Sequence, residues 1–367
     1  MKIIQVTPNY PLHSGGVQNV ARQLAEGLAR KGHEVEVFTS DMGGKCGRLE
    51  SGKNLKLHYL ASVEIAHTPI IFSLFFKLLT IPKDSIIHVH IARAFTSEVV
   101  YLISKIKKVP YIAHYHLDVE SSGKWGFFLP LYKNIILKRV LKSASMIAVL
   151  TERYRTLISK KYNISRNVVI IPNGVSNRFF NLAKTKHESK KTNLLFVGRL
   201  NVQKNVGCLV EAVSLVKHPV ILNIVGDGEL KFEIRDLINN YKLNNVILHG
   251  NKFGEELIRM YQKAEIFLLA SKSEGLPLVV LEAMAAGIPI IASDVIGNHE
   301  MVNEVGILVN PPTAANFAKE IDTLIDNQKL NRQLASKGKR KAKNYQWDKI
   351  VKKFEAVYQQ VLDRKGS

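Results

Sequence analysis

The chain has 367 residues, 46% of them hydrophobic, which is enough for two domains with packed cores. A formal net charge of +21 favours anionic partners, but no zinc-finger, arginine-rich or RNA-binding pattern accompanies it, so we expect no nucleic-acid partner. The two cysteines, Cys46 and Cys208, have neither metal-cluster nor disulfide spacing and suit a reducing compartment.

The first half of the chain alternates strand and helix patterns. A strand pattern at Ile3–Thr7 is followed by a loop with Gly15 and Gly16, and then by apolar residues at helical spacing. Further strands are predicted at Glu34–Thr39, Ser85–Ile91, Pro110–His114 and Met146–Leu150. This order predicts a parallel sheet with right-handed crossovers.

A polar stretch, Ala183–Thr192, reads as an interdomain linker, and a second series of strands follows it. These strands are predicted at Leu194–Val197, Leu222–Val225, Val246–His249, Ile266–Leu269, Ile288–Ala292 and Val305–Val309. We therefore predict an α/β protein of two doubly wound domains, residues 1–175 and 176–346, with a ligand cleft between them. Periodicity leaves open whether the last helix, about Trp347 to Leu362, packs on the second domain or crosses back to the first.

Two glutamates, Glu274 and Glu282, flank the apolar run GLPLVVL. The loop after strand Ile266–Leu269 lies where parallel folds bind ligands, and Pro277 suits the first turn of the helix that follows. The free amides of that helix start can bind phosphate, and both carboxylates can accept hydrogen bonds from sugar hydroxyls. A solvated glutamate and a helix-dipole partner remain the alternative.

The stretch LLFVGRLNVQKN places two cations just after a strand. Gly198 allows close backbone approach, and Arg199 and Lys204 can bracket a diphosphate, one as a planar fork and the other as a point charge. Two exposed loop cations are the alternative. Three more glycine-containing loops follow strands: VGDGEL, LHGNK and the Gly15-Gly16 turn. Each is weak evidence for a ligand site on its own, but each places a glycine-containing loop at the carboxyl end of a parallel strand.

Histidines cluster around two strand ends of the first domain. His114, His116 and Asp118 follow one strand, where they can orient sugar hydroxyls or act in acid–base work. His88 and His90 end another strand, with Arg93 close behind; a satisfied structural role is favoured for His88. No recognisable spacing completes a metal site, so none is predicted.

Together these motifs resemble retaining glycosyltransferases of the GT-B class, in glycosyltransferase family 4. The resemblance covers nearly the whole chain, and its most specific element is the Glu-x7-Glu pair, Glu274 and Glu282. The strings VGRLNVQKN, IPNGV and VGDGEL fit as well, as do SGGVQNVARQLAEGLARKGHEVEVFT near the start and YQWDKIVKKFEAVYQQVL near the end. The resemblance implies two Rossmann-like domains that face each other across a cleft, with residues 347–367 crossing back to the first domain.

The resemblance also implies roles for matching positions. Arg199 and Lys204 would hold the donor diphosphate, Glu274 and His116 would contact the donor sugar, and His116 is preferred to His114. Glu282 would bind the ribose. The remaining expected nucleotide-sugar contacts are Gly15, Gly16, Gly198, Asn251, Lys252, Gly275, Leu276, Leu278 and Val279. The expected acceptor-side residues are His90, Arg93, His114 and Asp118.

The resemblance implies metal-independent, cofactor-free transfer of a hexose-type sugar, with retention, from a nucleotide sugar to a saccharide or lipid-linked acceptor. A UDP-sugar is favoured over a GDP-sugar. Aromatic and basic residues mix in two segments, TPIIFSLFFKLLTIPK and KWGFFLPLYKNIILKRVLK. This mixture suits a cytoplasmic protein that binds peripherally to an anionic membrane. The alternative is that the first segment is a buried helix and the second a solvated cationic face. The rival functions are another GT-B activity, such as epimerisation or glycogen-type synthesis, and a non-catalytic nucleotide-sugar or membrane-binding protein.

Overall fold

The computed structural model describes residues 1–10, 16–41, 49–65, 68–92, 94–116, 129–182 and 191–366. The chain divides into two compact units. Unit 1 comprises Met1–Asn173 and Trp347–Ser367, and unit 2 comprises Gly174–Gln346. Most of the predicted linker, residues 183–190, lies outside the described residues.

Unit 1 is built on a mainly parallel sheet. Its strands are β1 (Lys2–Val6), β2 (Glu34–Ser40), β3 (Leu49–Gly52), β4 (Leu55–Leu60), β5 (Val63–Ile65), β6 (Thr68–Ile70), β7 (Ile86–Ile91), β8 (Tyr111–Tyr115), β9 (Met146–Val149) and β10 (Val168–Ile170). The order β10-β9-β8-β7-β1-β2-β4-β3 is parallel except for β3 against β4, and β5 and β6 form a separate hairpin. The predicted strands of this half are confirmed, whereas β3 to β6 and β10 were not predicted.

Helices separate these strands. They are α1 (Gly16–Arg30), α2 (Ser73–Leu79), α3 (Thr96–Lys107), α4 (Leu129–Tyr132), α5 (Lys138–Ser143) and α6 (Glu152–Tyr162), with a π-helical turn at Lys133–Leu137 between α4 and α5. An apolar core covers one face of the sheet, where Ile4, Ile87, Val89 and Ala113 are fully buried. Polar side chains occupy the other face and are described below.

Unit 2 has a fully parallel sheet of six strands. They are β11 (Thr192–Val197), β12 (Val220–Val225), β13 (Val246–Leu248), β14 (Ile266–Leu269), β15 (Ile290–Ser293) and β16 (Ile307–Val309). The order β13-β12-β11-β14-β15-β16 reverses direction between β11 and β14. That reversal is the topological switch point, where α/β sheets bind ligands beyond the carboxyl ends of the strands.

The helices of unit 2 connect consecutive strands and then close the unit. They are α7 (Val206–Leu215), α8 (Lys231–Asn240), α9 (Gly254–Lys263), α10 (Leu278–Ala285), α11 (Ile296–Val302), α12 (Ala314–Asp326) and α13 (Gln328–Ala342), with 3₁₀ turns at Asn177–Asn181 and Lys343–Tyr345. The two parallel α/β units confirm the predicted fold class.

The last helix, α14 (Trp347–Gly366), belongs to unit 1 although it follows unit 2 in the chain. It packs against α1 so closely that a Cβ on Gly27 would lie 2.6 Å from Cγ2 of Val351. The hydroxyl of Tyr358 also reaches Nδ1 of His88 at 2.7 Å. The question that periodicity left open is thus answered in favour of crossing back. Among the described residues, no helix combines the length and apolar character needed to span a membrane.

Candidate active site

The loops after β11 and β14 meet at the switch point of unit 2. The backbone N–H of Lys272 donates to the carbonyl of Gln203 at 2.8 Å, and the Gln203 side chain donates to the carbonyl of Ser273 at 2.8 Å. These contacts tie the segment carrying Lys204 to the segment carrying Glu274. Two motifs that lie 70 residues apart in sequence therefore share one edge of the sheet.

Glycines allow the loop after β12 to lie directly on the loop after β11. Gly226 has φ +140°, and a Cβ there would lie 1.9 Å from the carbonyl oxygen of Gly198. A Cβ on Gly228 would lie 2.3 Å from the carbonyl oxygen of Leu200. Only glycine permits this approach, so VGDGEL supports the Gly-Arg-Leu stretch by packing against it.

Lys204 and Glu274 form an ion pair in this cluster. Nζ of Lys204 lies 2.5 Å from Oε1 of Glu274, and the side chains are 16% and 7% exposed. A Cβ on Gly198 would stand 3.6 Å from Cε of Lys204, so the glycine lies beside the lysine stem. The predicted diphosphate contact and the predicted sugar contact are thus brought together.

Arg199 takes a different position from Lys204. Its side chain is exposed, and within the described ranges no carboxylate pairs with its guanidinium. An exposed guanidinium keeps its bidentate donors available for an oxyanion.

Glu282 lies one turn inside α10, held by a tyrosine from α9. The hydroxyl of Tyr261 donates to Oε2 of Glu282 at 2.7 Å. Burial raises the pKa of Glu282 to about 7, even though this hydrogen bond acts to lower it. Burial, followed by the nearby carboxylate, raises the pKa of Tyr261 well above its ordinary value, so the hydroxyl keeps its proton. Glu282 is half-buried and bonded to Tyr261, whereas the alternative expected a solvated glutamate.

The start of α10 is assembled as the sequence predicts. Pro277 caps the helix with φ −69° and ψ 120°, Gly287 ends it with φ +67°, and Leu278 and Val279 are partly exposed in its first turn. Gly275 and Leu276 are buried in the preceding loop.

Two supports of this loop were not predicted from the sequence. A Cβ on Gly297 in α11 would lie 2.3 Å from the carbonyl oxygen of Gly275, which shows how closely α11 packs on the loop. Asn298 donates to the carbonyl of Ser293 at 3.0 Å, and the Ser293 hydroxyl donates to the carbonyl of Ser271 at 2.5 Å. Gly297 could have been noticed as a glycine inside a helix. Tyr261, which bonds to Glu282, was also missed, because it has the pattern of an ordinary amphipathic-helix residue.

The loop after β13 carries Asn251 and Lys252, two of the expected nucleotide-sugar contacts. Gly250 has φ +65°, and its carbonyl accepts a hydrogen bond from the N–H of Gly226 at 2.8 Å. Asn251 is exposed, and Nζ of Lys252 lies 3.4 Å from Oε1 of Glu256. This loop is therefore joined through Gly226 to the same edge.

In unit 1, four histidines lie on the polar face of the sheet. His88 and His90 are fully buried, His114 is 1% exposed and His116 is 4% exposed. His88 bonds to Tyr358 and, at 3.2 Å, to His114, which confirms its structural role. His90 and His114, which are expected from the sequence on the acceptor side, are buried here, and their rings bond to His116 and His88 respectively.

Burial also determines the charge of these rings. It lowers the pKa of His88 and of His116 to about 3, and it lowers the pKa values of His90 and His114 well below the ordinary range, where neighbouring histidines add repulsion. All four imidazoles are therefore neutral at physiological pH.

Three of these histidines could in principle hold a metal ion. His88, His90 and His114 each offer one ring nitrogen, and these nitrogens lie within 4.8 Å of one another. The described partners of the rings are other histidines, Tyr358 and Gln5, none of which carries a negative charge. Because an uncompensated dication in a core is costly, we interpret the cluster as a hydrogen-bond network.

The remaining predicted contacts fall at the start of α1 and outside the described residues. Gly16 is the exposed first residue of α1, and no atom lies within 4 Å of a Cβ built there. Gly15, Arg93 and Asp118 lie outside the described ranges, as does most of KWGFFLP.

Family models match both halves of the chain. Residues 14–178 match the family model described as Glycosyltransferase Family 4, and residues 177–341 match the model described as Glycosyl transferases group 1. An uncharacterized glycosyltransferase of Methanocaldococcus jannaschii is 27% identical over the full length of both chains.

Solved structures share the fold at lower identity. Sucrose-phosphate synthase from Thermosynechococcus elongatus matches with TM-score 0.81 and 21% identity over 99% of each chain. HepE from Anabaena, solved with UDP-glucose, matches with TM-score 0.79 and 17% identity over 98% of this chain and 100% of that one.

The two Rossmann-like units therefore have the fold of the GT-B class. The chain belongs to glycosyltransferase family 4, which confirms the resemblance seen in its motifs.

Proposed function

We propose that the protein transfers a hexose-type sugar from a nucleotide sugar to a saccharide or lipid-linked acceptor, with retention of anomeric configuration, in cell-surface glycan or glycolipid synthesis. A UDP-sugar is the favoured donor and a GDP-sugar the alternative. The observation that carries this proposal is the Lys204–Glu274 pair at the switch point of unit 2, beside the exposed guanidinium of Arg199.

The pair suits a site that exchanges partners when a donor binds. Without a ligand, Glu274 neutralises Lys204, so neither charge is left unpaired in a largely buried loop. A diphosphate can take over the lysine ammonium, and the freed carboxylate can then accept hydrogen bonds from sugar hydroxyls. This exchange assigns diphosphate binding to Lys204 and sugar binding to Glu274.

Arg199 and Lys204 would also stabilise the leaving group. As the anomeric C–O bond breaks, negative charge grows on the nucleoside diphosphate, and fixed cations lower the barrier most when they face that charge in the transition state. These two side chains can supply the charge that a divalent metal supplies in other transferases, so we propose a metal-independent reaction. Retention would follow from front-face displacement, in which a donor phosphate oxygen takes the acceptor proton.

The other donor contacts follow from the same assignment. Glu282 would bind the ribose hydroxyls, the first-turn amides of Leu278 and Val279 would face phosphate, and the loop at Asn251 and Lys252 would meet the base. In unit 1, His116 would contact the donor sugar, and Gly16 would allow the diphosphate to approach the start of α1.

A membrane-bound acceptor is supported by exposed apolar residues on neighbouring helices of unit 1. Phe72, just before α2, and Phe76, within it, are 67% and 69% exposed, while Leu74 and Leu78 of the helix are buried. Helix α2 packs on α3, which exposes Leu102 and Ile106, and α3 packs on α5. Exposed cations accompany them: Lys77, Lys83, Lys105, Lys108, Arg139 and Lys142. This chemistry fits an anionic lipid surface.

The proposal is tested by incubating the purified chain with UDP-, GDP- and ADP-sugars in EDTA and measuring both thermal shift and nucleotide release. One nucleotide class should shift the unfolding temperature and be turned over. Arg199→Ala should reduce turnover about a hundredfold, whereas Arg235→Ala, an exposed arginine on α8, should not.

Three outcomes would contradict the proposal in different ways. Binding without turnover in the presence of acceptor extracts would favour a non-catalytic binder. Turnover that requires an added metal would reject the metal-independent mechanism. Inversion at the anomeric carbon, read by NMR of the product, would reject retention.

A further inference from the structure

Five polar side chains point to the same side of the central strands in unit 1. Gln5 lies on β1, His88 and His90 lie on β7, His114 lies on β8, and His116 follows β8 directly. Gln5 pairs in register with His88, and His90 pairs with His114, so their side chains share one face. All five are at most 4% exposed. Buried polar groups of this kind are costly unless they are hydrogen-bonded.

The hydrogen bonds form two separate chains. In the first, Nε2 of Gln5 lies 2.8 Å from Nε2 of His90, and Nδ1 of His90 lies 2.8 Å from Nε2 of His116. In the second, Tyr358 bonds to His88 and His88 bonds to His114. Only the first chain reaches His116, the histidine proposed to contact the donor sugar.

The first chain has a direction, because a side-chain amide nitrogen can only donate. In the orientation that the structure gives the Gln5 amide, its nitrogen donates to Nε2 of His90, and its Oε1 has no partner among the described residues. In this orientation Nε2 of His90 is unprotonated. A neutral His90 then carries its proton on Nδ1 and donates it to Nε2 of His116. His116 in turn must carry its own proton on Nδ1.

This arrangement opposes the intrinsic preference of the ring. Neutral histidine in water favours protonation at Nε2, so the network holds both His90 and His116 in the less favoured tautomer. Burial keeps both rings neutral at physiological pH, which leaves the tautomer as the chemical variable. His116 is the most exposed of the four histidines, and no described residue bonds to its Nδ1.

We propose that Gln5 and His90 are positioning residues that hold His116 as the Nδ1-protonated tautomer, ready to donate a hydrogen bond to a hydroxyl oxygen of the bound sugar. The tautomer part stands on the geometry alone, and the sugar contact rests on the proposed function. Without the Gln5 donor, His90 and His116 can both return to Nε2 protonation while keeping the bond between them. His116 would then present a bare Nδ1, which accepts a hydrogen bond instead of donating one.

The tautomer is tested by NMR on the full chain labelled with ¹⁵N-histidine, in long-range ¹H–¹⁵N spectra at neutral pH. The signals of His116 are assigned by their loss in His116→Gln. We expect a protonated Nδ1 and a bare Nε2 in the wild type. Gln5→Met, which keeps the length but removes the donor, should shift His116 toward Nε2 protonation.

Two further variants keep this test decisive. His90→Phe should also release the tautomer of His116, and it replaces Gln5→Met if that variant fails to fold. Tyr358→Phe alters only the second chain and should leave His116 unchanged. An Nε2-protonated His116 in the wild type, or the same tautomer in the wild type, Gln5→Met and His90→Phe, would overturn the proposal.

Kinetics tests whether the tautomer matters for transfer. With the donor identified by the nucleotide screen, kcat of Gln5→Met should fall about fivefold or more, in proportion to the lost tautomer, with KM for donor changing less. An equal fall in Tyr358→Phe, or wild-type kcat in a Gln5→Met protein with a shifted tautomer, would reject the positioning role. If the wild type turns over no nucleotide sugar, the proposed function fails, and the spectra still decide the tautomer.

Discussion

Nζ of Lys204 lies 2.5 Å from Oε1 of Glu274, and both side chains are mostly removed from solvent. Removing one partner of such a pair leaves the other charge in a poorly solvated loop, whereas removing both does not. The pair is therefore a structural unit as well as a proposed pair of substrate contacts, and the two roles can be separated by mutation.

We expect Lys204→Met to destabilise unit 2 by about 3 kcal/mol, because Glu274 is left without its cation. Adding Glu274→Gln should recover much of that stability, while turnover stays low in both single variants and in the double variant. Denaturant unfolding and nucleotide release measure the two effects.

The control for these single and double variants is the exposed pair of Arg178 and Glu255, whose side chains are 61% and 65% exposed. Its removal should change stability by less than about 1 kcal/mol. Full recovery of activity in the Lys204→Met, Glu274→Gln protein would contradict the proposed catalytic roles.

The raised pKa of Glu282 predicts a pH dependence of donor binding. The carboxyl group has a pKa of about 7 and is ionised above that value, where it can accept from both ribose hydroxyls. KM for the donor should therefore rise as pH falls through 7. Tyr261→Phe should move this transition to higher pH, because the lost hydroxyl favours the charged form.

Glu282→Gln provides the control, since an amide does not titrate. Its KM should be raised at every pH and should show no transition near 7. Steady-state kinetics between about pH 5.5 and 8.5 covers the window. A wild-type KM that does not change with pH would be inconsistent with ribose binding by this carboxylate.

The close packing at Gly226 predicts a large and specific cost for one methyl group. Gly226→Ala places Cβ against the Gly198 carbonyl and should destabilise unit 2 by about 3 kcal/mol or more. Gly254→Ala is the matched control: its φ of +52° is also positive, but no atom lies within 4 Å of the added Cβ. It should cost only about 1 kcal/mol.

Equal costs in these two alanine variants would show that backbone conformation, rather than the contact between the two loops, makes Gly226 necessary. Denaturant unfolding followed by a probe in unit 2 distinguishes the cases.

The buried histidines predict a loss of stability in mild acid. Their pKa values are lowered in the folded chain, so the unfolded chain binds more protons below about pH 6.5. The stabilising contribution of each histidine is fully present above that pH and is lost as the pH falls, by up to about 1.4 kcal/mol per pH unit. The loss continues down to the folded pKa, which is about 3 for His88 and His116. Glu282 acts in the opposite sense, because its raised pKa favours proton uptake by the folded state.

Comparing variants isolates the histidine contribution from that of Glu282. His88→Asn should reduce the slope of the unfolding free energy against pH between pH 6 and 5 by about 1.4 kcal/mol per pH unit, which corresponds to one proton fewer taken up on unfolding. Identical slopes in the wild type and this variant would indicate that His88 is not held neutral in the folded protein.

Sequence patterns predicted the major strands because each is an apolar run bounded by turn residues. Strands β3 to β6 and β10 escaped detection because they are short or mix polar with apolar residues; β5 exposes both Val63 and Ile65. The site loops of unit 2 were predictable since parallel strands end at one edge. The partners inside those loops were less so: nothing local pairs Lys204 with Glu274, or Tyr261 with Glu282.

The histidines show the same limit. Their spacing indicated alternation along two strands, but it did not show that these strands are neighbours or that α14 covers them. For that reason the sequence did not predict that His90 and His114 lie in a buried hydrogen-bond network.

Two exposed phenylalanines, Phe76 in α2 and Phe72 just before that helix, give a final prediction, on membrane binding. The chain should float with vesicles containing phosphatidylglycerol, and high salt should weaken this binding because lysines contribute to it. Replacing Phe72 and Phe76 together with serine should reduce binding about tenfold or more, since each ring would lose its burial in the bilayer interface. Phe232→Ser is the matched control, because Phe232 is 69% exposed, as Phe76 is, but belongs to α8 of unit 2. Equal flotation of all variants, or equal binding to neutral phosphatidylcholine vesicles, would exclude these helices as an anionic-lipid surface.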